Sequence, residues 1–270
     1  MFELHLPKRV VFEPGKKPTE GQLVVEPCEA GFGTTLGNAL RRVLLSSLSG
    51  AAVTDVKIGG AQHEFSTIPG VKEDVVEILL QVKQLRLKVF SDEPVRFSLR
   101  VKKEGKVTAG DIEKNAAIEI ANPGLHLATV TDATTEFTME FIAQRGRGYD
   151  AIESRERAAP EIGLLAVDAL YTPMRNVGFR VDNVRVGQMT NYDRLTMTIE
   201  TDGTITGEDA VKQSAKILID HFALLESLGA PIVEAPAPVV SEEQEAVVVE
   251  EQAPTEEVKE KKEKKKKKDE

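Results

Sequence analysis

The sequence contains no tryptophan and a single cysteine, Cys28, among its 270 residues. One cysteine excludes an intramolecular disulfide, so we expect a reducing compartment and a fold stabilised by its core. No apolar run approaches the roughly 18 residues that a membrane-spanning helix needs. The charged start, MFELHLPKRVVFEPGKK, is unlike a secretory signal peptide. These absences predict a cytoplasmic protein without a membrane partner.

The usual signatures of metal and nucleophilic chemistry are also missing. The four histidines, His5, His63, His126 and His221, are scattered, and no H-x-x-x-H or C-x-x-C spacing occurs. There is no G-x-S-x-G motif and no P-loop lysine–serine pair. Asp168 lies in the apolar run LLAVDALY, and we interpret it as a hydrogen-bonded residue of a helix rather than as a strained carboxylate. No metal site is expected.

The formal net charge of −9 argues against a protein that holds nucleic acid across its whole surface. The segment 231–270 contains 12 acidic residues and 8 lysines, which leaves the first 230 residues mildly acidic. Its first part is rich in Glu, Pro, Ala and Val without a helical period, so we predict that the segment is disordered. The closing KEKKEKKKKKDE is interpreted as a solvated charge run, with contact to phosphates as the alternative.

The first 230 residues mix strands with three helices and show no βαβ alternation, which is typical of the α+β class. Alternating apolar patterns predict strands at 22–28, 53–60, 96–103, 116–123, 125–132 and 136–144. The stretches 176–188 and 193–203 are expected to form an antiparallel hairpin that turns at Thr190–Asn191. Helices are predicted at about 34–48, 72–85 and 207–229, the last capped by Thr206 and ended by Gly229.

The stretch GFGTTLGNALRR resembles a phosphate-binding loop, but its spacing differs. Gly31, Gly33 and Gly37 are one residue too far apart for the dinucleotide fingerprint G-x-G-x-x-G. Asp55 is near the right distance for a ribose carboxylate, yet no second buried parallel strand precedes it. We interpret the glycines as a tight turn into a helix, with Gly37 allowing another backbone to approach closely. The stretch QRGRGYD, 144–150, is interpreted as a loop that docks on an anionic partner.

The first helix has two distinct faces. Its core face is predicted to contain Leu36, Ala39, Leu40, Val43, Leu44 and Leu48. The opposite face carries Asn38, Arg41, Arg42 and Leu45. Arginine is enriched at interfaces and supplies directional donors, so this patch suits a protein partner. A plain solvent-exposed face is the alternative interpretation.

The third helix carries two apolar seams about 100° apart. One seam consists of Val211, Ala215, Leu218, Phe222 and Leu225. The other consists of Ile217, His221, Leu224 and Leu228. A helix that is apolar on two sides is buried on two sides, and an identical chain is the simplest partner for the second side. Deep burial within its own domain is the alternative.

Five segments, in this order, resemble the alpha subunit of bacterial DNA-dependent RNA polymerase: GFGTTLGNALRRVLLSSLSG, HEFSTIPGVKEDVVEILLQVK, QRGRGY, LLAVDALYTPMRNVGFRV and TDGTITGEDAVKQSAKIL. The resemblance covers about residues 3–229. It implies a discontinuous dimerisation domain, 1–49 and 171–230, with a second α+β domain, 50–170, inserted into it and the segment 231–270 following.

The resemblance implies a homodimeric scaffold with no catalytic residue and no cofactor of its own. The beta and beta-prime subunits assemble on the dimer, and omega and sigma join in the holoenzyme. Ribonucleoside triphosphates are then polymerised on DNA at a magnesium site of the large subunits, so the chain belongs to a nucleotidyltransferase as one of its parts.

At residue level, the resemblance assigns contact with beta to Asn38, Arg41, Arg42 and Leu45. It assigns contact with beta-prime to Lys83, Val167 and Arg185. The expected dimer interface consists of Phe32, Leu36, Leu40, Val43, Leu44, Leu218, Phe222 and Leu225. The second helix and LLAVDALY are therefore interpreted as partly docking surface.

The sequence departs from this family in one respect. Members usually continue into a small helical domain that binds promoter DNA and activators, whereas only the segment 231–270 follows here. Direct DNA contact by this chain is therefore not expected, and DNA is reached through the complex. Two alternatives stay open: a free-standing interaction dimer, and an enzyme that uses residues 31–37 as a nucleotide-phosphate site.

Overall fold

The computed structural model of the protein describes residues 5–132, 135–155 and 163–228. These ranges contain three α-helices: α1 Phe32–Ser46, α2 Val75–Val82 and α3 Gly207–Glu226. Fourteen strands complete the described part: β1 Arg9–Pro14, β2 Glu20–Cys28, β3 Ser49–Ile58, β4 Leu87–Val89, β5 Val95–Val101, β6 Gly105–Thr108, β7 Ile118–Ile120, β8 His126–Val130, β9 Phe137–Arg147, β10 Tyr149–Asp150, β11 Leu164–Ala166, β12 Ala169–Leu170, β13 Met174–Val186 and β14 Met189–Thr201. The α+β class is confirmed, and the disorder predicted for 231–270 concerns residues outside the described ranges.

A four-stranded antiparallel sheet unites the two ends of the described chain, in the order β1-β2-β14-β13. Leu23 of β2 lies opposite Met197 of β14, which lies opposite Phe179 of β13. Helix α1 packs across β13 and β14 and buries the apolar side chains of that sheet face. The resulting end core contains Leu23, Val25, Cys28, Leu44, Leu48, Met174, Val177, Leu195, Met197, Ile199 and Ala210.

The predicted hairpin of β13 and β14 is confirmed, but the predicted position of its turn is wrong. The two strands stop at Val186 and Met189, so Gly187 and Gln188 form the turn and Thr190–Asn191 belong to β14. Gly187 has a φ of 63°. Two-residue hairpin turns need such a left-handed backbone, and glycine adopts it without strain.

The middle of the chain builds a second four-stranded sheet, in the order β11-β3-β9-β5. Val56 of β3 lies opposite Phe141 of β9, on which Phe97 of β5 stacks with ring centroids 5.0 Å apart. Helix α2 inserts Val75 and Ile78 among these side chains. Residues of the pairs β4–β7 and β6–β8 add to this central core.

The chain passes between the two cores at Tyr171, which is 4% exposed and packs with Ala52 and Ala169. Its ring covers Gly146, and its hydroxyl accepts a hydrogen bond from Gln144 Nε2 at 2.7 Å. The described residues form one compact unit. The domain boundaries expected at 49/50 and 170/171 stay predictions.

The helix predicted for LLAVDALY is wrong, because this segment forms the short strands β11 and β12. Leu165 of β11 pairs with Val56 at the open edge of the second sheet. A short apolar run fits a strand or a helix equally well by periodicity, and the free sheet edge decides in favour of the strand. Strand β1, whose side chains are mostly exposed, is also missed by the sequence patterns.

Local capping sets where two of the helices start. Helix α2 starts at Val75 rather than at 72, because the Asp74 carboxylate accepts a hydrogen bond from Glu77 N at 2.7 Å. Thr206 caps α3 as predicted, accepting from Asp209 N at 3.2 Å. The helix ends at Glu226, three residues before the end predicted at Gly229, which itself lies outside the described residues.

Candidate functional site

The backbone N–H groups of the glycine turn before α1 bind a carboxylate of the protein itself, that of Asp193. Gly31 has a φ of 88° and precedes the first helical residue. Its N–H donates to Asp193 Oδ2 at 2.8 Å, and the N–H of Gly33 donates to the same oxygen at 3.2 Å. A helix N-terminus favours negative charge. The carboxylate of Asp193, which is 7% exposed, therefore occupies the position that a phosphate would take.

Gly33 and Gly37 let α1 lie directly on the sheet. A Cβ at Gly37 would come within 2.7 Å of the Phe179 ring and 2.9 Å of Leu195 Cδ1. The expectation of a close approach at Gly37 is therefore right in kind, but the approaching atoms are side-chain atoms rather than backbone. The glycines orient the rest of the helix, because they fix which face meets the core.

The outer face of α1 consists of Asn38, Arg41, Arg42 and Leu45, all of which are exposed. Leu45 lies between the arginines on the helical wheel and is 38% exposed. Within the described part of the chain, neither guanidinium has an acidic partner at ion-pair distance. Two free planar cations beside an apolar side chain form a surface suited to a protein partner.

The residues expected at the dimer interface divide by burial. Leu44 is fully buried in the end core, whereas Leu36, Leu40 and Val43 are half-buried and Phe32 is 44% exposed. Beside them lies an apolar groove of about 290 Å³, lined by His5, Leu6, Pro7, Cys28, Glu29, Phe32 and Leu36. Leu44 thus anchors α1 in the end core. The partly exposed residues lie on a side of α1 that the chain itself leaves uncovered.

Helix α3 changes character along its length. Its first half is anchored, with Ala210 and Ser214 buried and Leu218 half-buried, and it packs against α1. Its second half carries a large exposed apolar surface. This α3 apolar end consists of Ile219 (64% exposed), Phe222 (59%), Leu224 (63%) and Leu225 (58%), together with Leu228 (83%) two residues beyond the helix. The two apolar seams predicted for α3 are thus covered by the chain itself in the first half of the helix and exposed in the second half.

Lys83, at the end of α2, lies in a cluster with Tyr149 and Asp168. Its Nζ lies 2.9 Å from Asp168 Oδ2 and 5.4 Å from the centre of the Tyr149 ring. The other carboxylate oxygen of Asp168 accepts from Ile152 N at 3.1 Å. The Lys83 ammonium, followed by that backbone hydrogen bond, lowers the pKa of Asp168 to about 2. The same ion pair raises the pKa of Lys83.

The other two residues assigned to beta-prime lie elsewhere. Val167 is next to Asp168, but its side chain is 4% exposed and belongs to the central core. Arg185 lies at the tip of the β13–β14 hairpin, in the other sheet, where its Nε donates to Gly187 O at 2.8 Å. The structure thus brings Val167 to the Lys83 cluster and leaves Arg185 apart from it.

The segment QRGRGYD is not the loop predicted for it. Its first residues continue β9, and Tyr149–Asp150 form β10. Arg145 is paired with Asp92 at 2.8 Å. Strand pairing with β3 explains this difference, since glycine-containing ends of strands look like loops in a sequence.

Sequence reasoning missed two residues that shape these surfaces. Asp193 gives no local signal, because its partners Gly31 and Gly33 are 162 and 160 positions away. Tyr149 has no sequence signal beyond its place in QRGRGYD, and its contact with Lys83 depends on the fold. Asp168 did stand out as a charged residue in an apolar run, which is a usable signal for a paired carboxylate.

Two other kinds of site are absent from the described ranges. Across residues 5–132, 135–155 and 163–228, His, Cys, Asp and Glu side chains form no group of three or more that could hold a metal ion. In the same ranges, no helix is both long enough and apolar enough to cross a membrane.

Comparison with known proteins identifies the class of the central part first. Residues 56–172 match the family model described as the RNA polymerase Rpb3/RpoA insert domain. These residues include the last three residues of β3, the whole of α2 and the Lys83 cluster.

Whole-chain relatives extend this finding. The DNA-directed RNA polymerase subunit alpha of Desulforamulus reducens is 47% identical over 243 residues, which are 90% of this chain and 77% of the relative. The proteins of the same name from Oceanobacillus iheyensis and Alkaliphilus metalliredigens are 46% and 45% identical over the same shares. The chain belongs to the family of DNA-directed RNA polymerase alpha subunits, and its role is that of a subunit of a nucleotidyltransferase complex.

Proposed function

We propose that the protein is a non-catalytic scaffold that homodimerises through α1 and α3 and then assembles the beta and beta-prime subunits of RNA polymerase. The observation that carries the proposal is the α3 apolar end, where four large apolar side chains of α3 and Leu228 just beyond it are 58% to 83% exposed. Monomeric proteins rarely leave such a contiguous patch open to water. A second copy of the same helix supplies matching apolar side chains under two-fold symmetry.

The apolar groove beside α1 supports the same arrangement. Its walls include Phe32 and Leu36, two of the residues expected at the dimer interface, and its lining is almost wholly apolar. The groove thus offers the partner's α3 a surface of matching chemistry. The half-buried Leu40 and Val43 extend that surface along α1.

The outer face of α1 is the proposed site for beta. Its arginines are free, exposed and carried by a helix that two glycines and the Asp193 carboxylate hold in place. A rigid display of guanidinium groups reduces the entropy lost on binding. The proposed site for beta-prime is the region around Lys83, with Val167 beneath it and Arg185 on the hairpin as a separate contact.

The polymerase chemistry itself is proposed to lie in the large subunits, with magnesium held there and DNA reached through the complex. Omega and sigma are proposed to join the assembled enzyme. We place this role in the cytoplasm, where the DNA template of a bacterial polymerase lies. The alternative of a nucleotide-binding enzyme is disfavoured, because Asp193 already occupies the N–H groups of the 31–37 turn.

Replacing Arg42 by alanine tests the scaffold. The purified variant is expected to remain a dimer but to bind beta at least about 30-fold more weakly, since an arginine anchor at an interface contributes about 2 kcal/mol or more. Binding is measured by titrating beta into labelled dimer, and the oligomeric state by light scattering.

The matched control is Arg100→Ala, which removes an exposed guanidinium from β5 in the other sheet. It is expected to bind beta like the unmodified chain. Normal beta binding by Arg42→Ala would overturn the assignment of Arg42. Failure of the unmodified dimer to bind beta at all would leave the free-standing interaction dimer as the better description.

A further inference from the structure

The cation at the centre of the proposed beta-prime site is already neutralised within the chain. Lys83 Nζ is 2.9 Å from Asp168 Oδ2, and the side chains are 35% and 28% exposed. Asp168 is held in turn by Ile152, whose N–H donates to its other carboxylate oxygen at 3.1 Å. An acidic group of a partner that approached Lys83 would meet this carboxylate, so Lys83 itself offers no free positive charge.

The carboxylate of Asp150, next to this cluster, also has an ion-pair partner. Asp150, which follows Tyr149, accepts from Arg155 Nε at 2.8 Å, and the Arg155 side chain is 12% exposed. Arg155 also donates to the backbone carbonyls of Asp150 and Thr54. The two ion pairs that the structure describes next to Tyr149, Lys83–Asp168 and Arg155–Asp150, are therefore neutralised within the chain.

Apolar side chains are what this surface does leave open. Helix α2 buries Val75, Ile78 and Val82, and its opposite side carries Val76 and Leu80, which are 37% and 56% exposed. Val76, Leu80 and Lys83 follow the i, i+4, i+7 spacing of one helix face. The Tyr149 ring, 56% exposed, continues this face through its contact with Lys83.

We infer that this α2 stripe, consisting of Val76, Leu80, Lys83 and Tyr149, is an apolar docking surface for an uncharged segment of beta-prime. In this arrangement Leu80 and Tyr149 make the anchoring contacts. Lys83 contributes its aliphatic stem to this surface, while Asp168 neutralises its charge. The inference rests on the proposed function and specifies the chemistry of its beta-prime site. Paired charges beside exposed apolar side chains fit a partner segment that brings no charge.

The test measures beta-prime binding to a preformed complex of the dimer with beta. Leu80→Ser is expected to weaken binding at least about tenfold, since the side chain is a central anchor. The double variant Lys83→Met with Asp168→Asn removes both charges and keeps the apolar stem. It is expected to retain binding within about threefold of the unmodified chain, since the partner segment carries no charge that the ion pair could complement.

The dependence of beta-prime binding on salt and a control variant on the same helix test the absence of an electrostatic contribution. Raising NaCl from about 0.1 M to about 0.5 M is expected to change the affinity little, because screening weakens only interactions between charges. Glu77→Gln, an exposed substitution on the same helix, is expected to bind normally. Far-UV circular dichroism checks that each variant retains its fold.

Three results would overturn the inference. One is normal beta-prime binding by Leu80→Ser. Another is loss of binding by the double charge variant together with steep weakening by salt, which would make the contact electrostatic. The third is an unmodified dimer–beta complex that recruits no beta-prime, and this result alone would also refute the proposed function.

Discussion

Removing the apolar side chains of α3 is the sharpest test of the dimer. Phe222 and Leu225 are 59% and 58% exposed, so their replacement by serine leaves the monomer's core intact. Full burial of such a side chain stabilises by about 1.5–3 kcal/mol, and the exposed fraction leaves about 0.9–1.8 kcal/mol for dimerisation. A dimer contains four of these side chains, so the double variant loses roughly 4–7 kcal/mol.

This loss corresponds to a dimer Kd raised by roughly 10³- to 10⁵-fold, since about 1.4 kcal/mol is a factor of ten. Sedimentation velocity over a dilution series measures it directly. The matched control replaces Lys216 and Asp220, exposed polar residues of the same helix, by serine and is expected to dimerise normally. The reasoning is refuted if the Phe222/Leu225 variant keeps the Kd of the unmodified chain, or if the unmodified chain stays monomeric at ~100 µM.

Two further predictions concern Gly37, which seats α1 on the sheet, and Asp168, which pairs with Lys83. Gly37→Ala gains about 1 kcal/mol of helix propensity but overpacks against Phe179 and Leu195 at 2.7 and 2.9 Å, which costs about 1–3 kcal/mol. A net fall in Tm is therefore expected in thermal denaturation, and an unchanged or higher Tm would contradict it. The ion pair of Asp168 stabilises the fold above the unfolded pKa near ~4, and this contribution is lost as pH falls towards the folded value of about 2. The stability difference between the unmodified chain and Asp168→Asn should therefore shrink between pH ~5 and ~2 in denaturant titrations, whereas a constant difference would rule out the ion pair as its source.

Helix faces were the most predictable part of the site. The period of 3.6 residues turns Arg42 about 160° and Leu45 about 100° away from Leu44 whatever the helix packs on. The structure has Leu44 buried and the other two exposed. The two seams of α3 followed from the same period. The period does not predict at which residue of α3 the packing against the rest of the chain ends. That position depends on how far α1 and the sheet extend beside the helix.

Contacts between distant segments were the least predictable part. LLAVDALY was misjudged as a helix, because its apolar run is compatible with either structure and a free sheet edge more than 100 positions away decided between them. Lys83 and Asp168 are 85 positions apart, so the neutralisation of the Lys83 charge has no sequence signature.

By itself the sequence determined the class, the three helices and the faces that they expose, because propensity, capping and apolar period are properties of neighbouring residues. The tertiary structure alone decided that Asp193 fills the glycine turn, that Val167 is buried and that Lys83 is paired. Each of these depends on which segments meet in space. These long-range contacts are determined by the burial of apolar surface from the whole chain, so no short segment of the sequence specifies them.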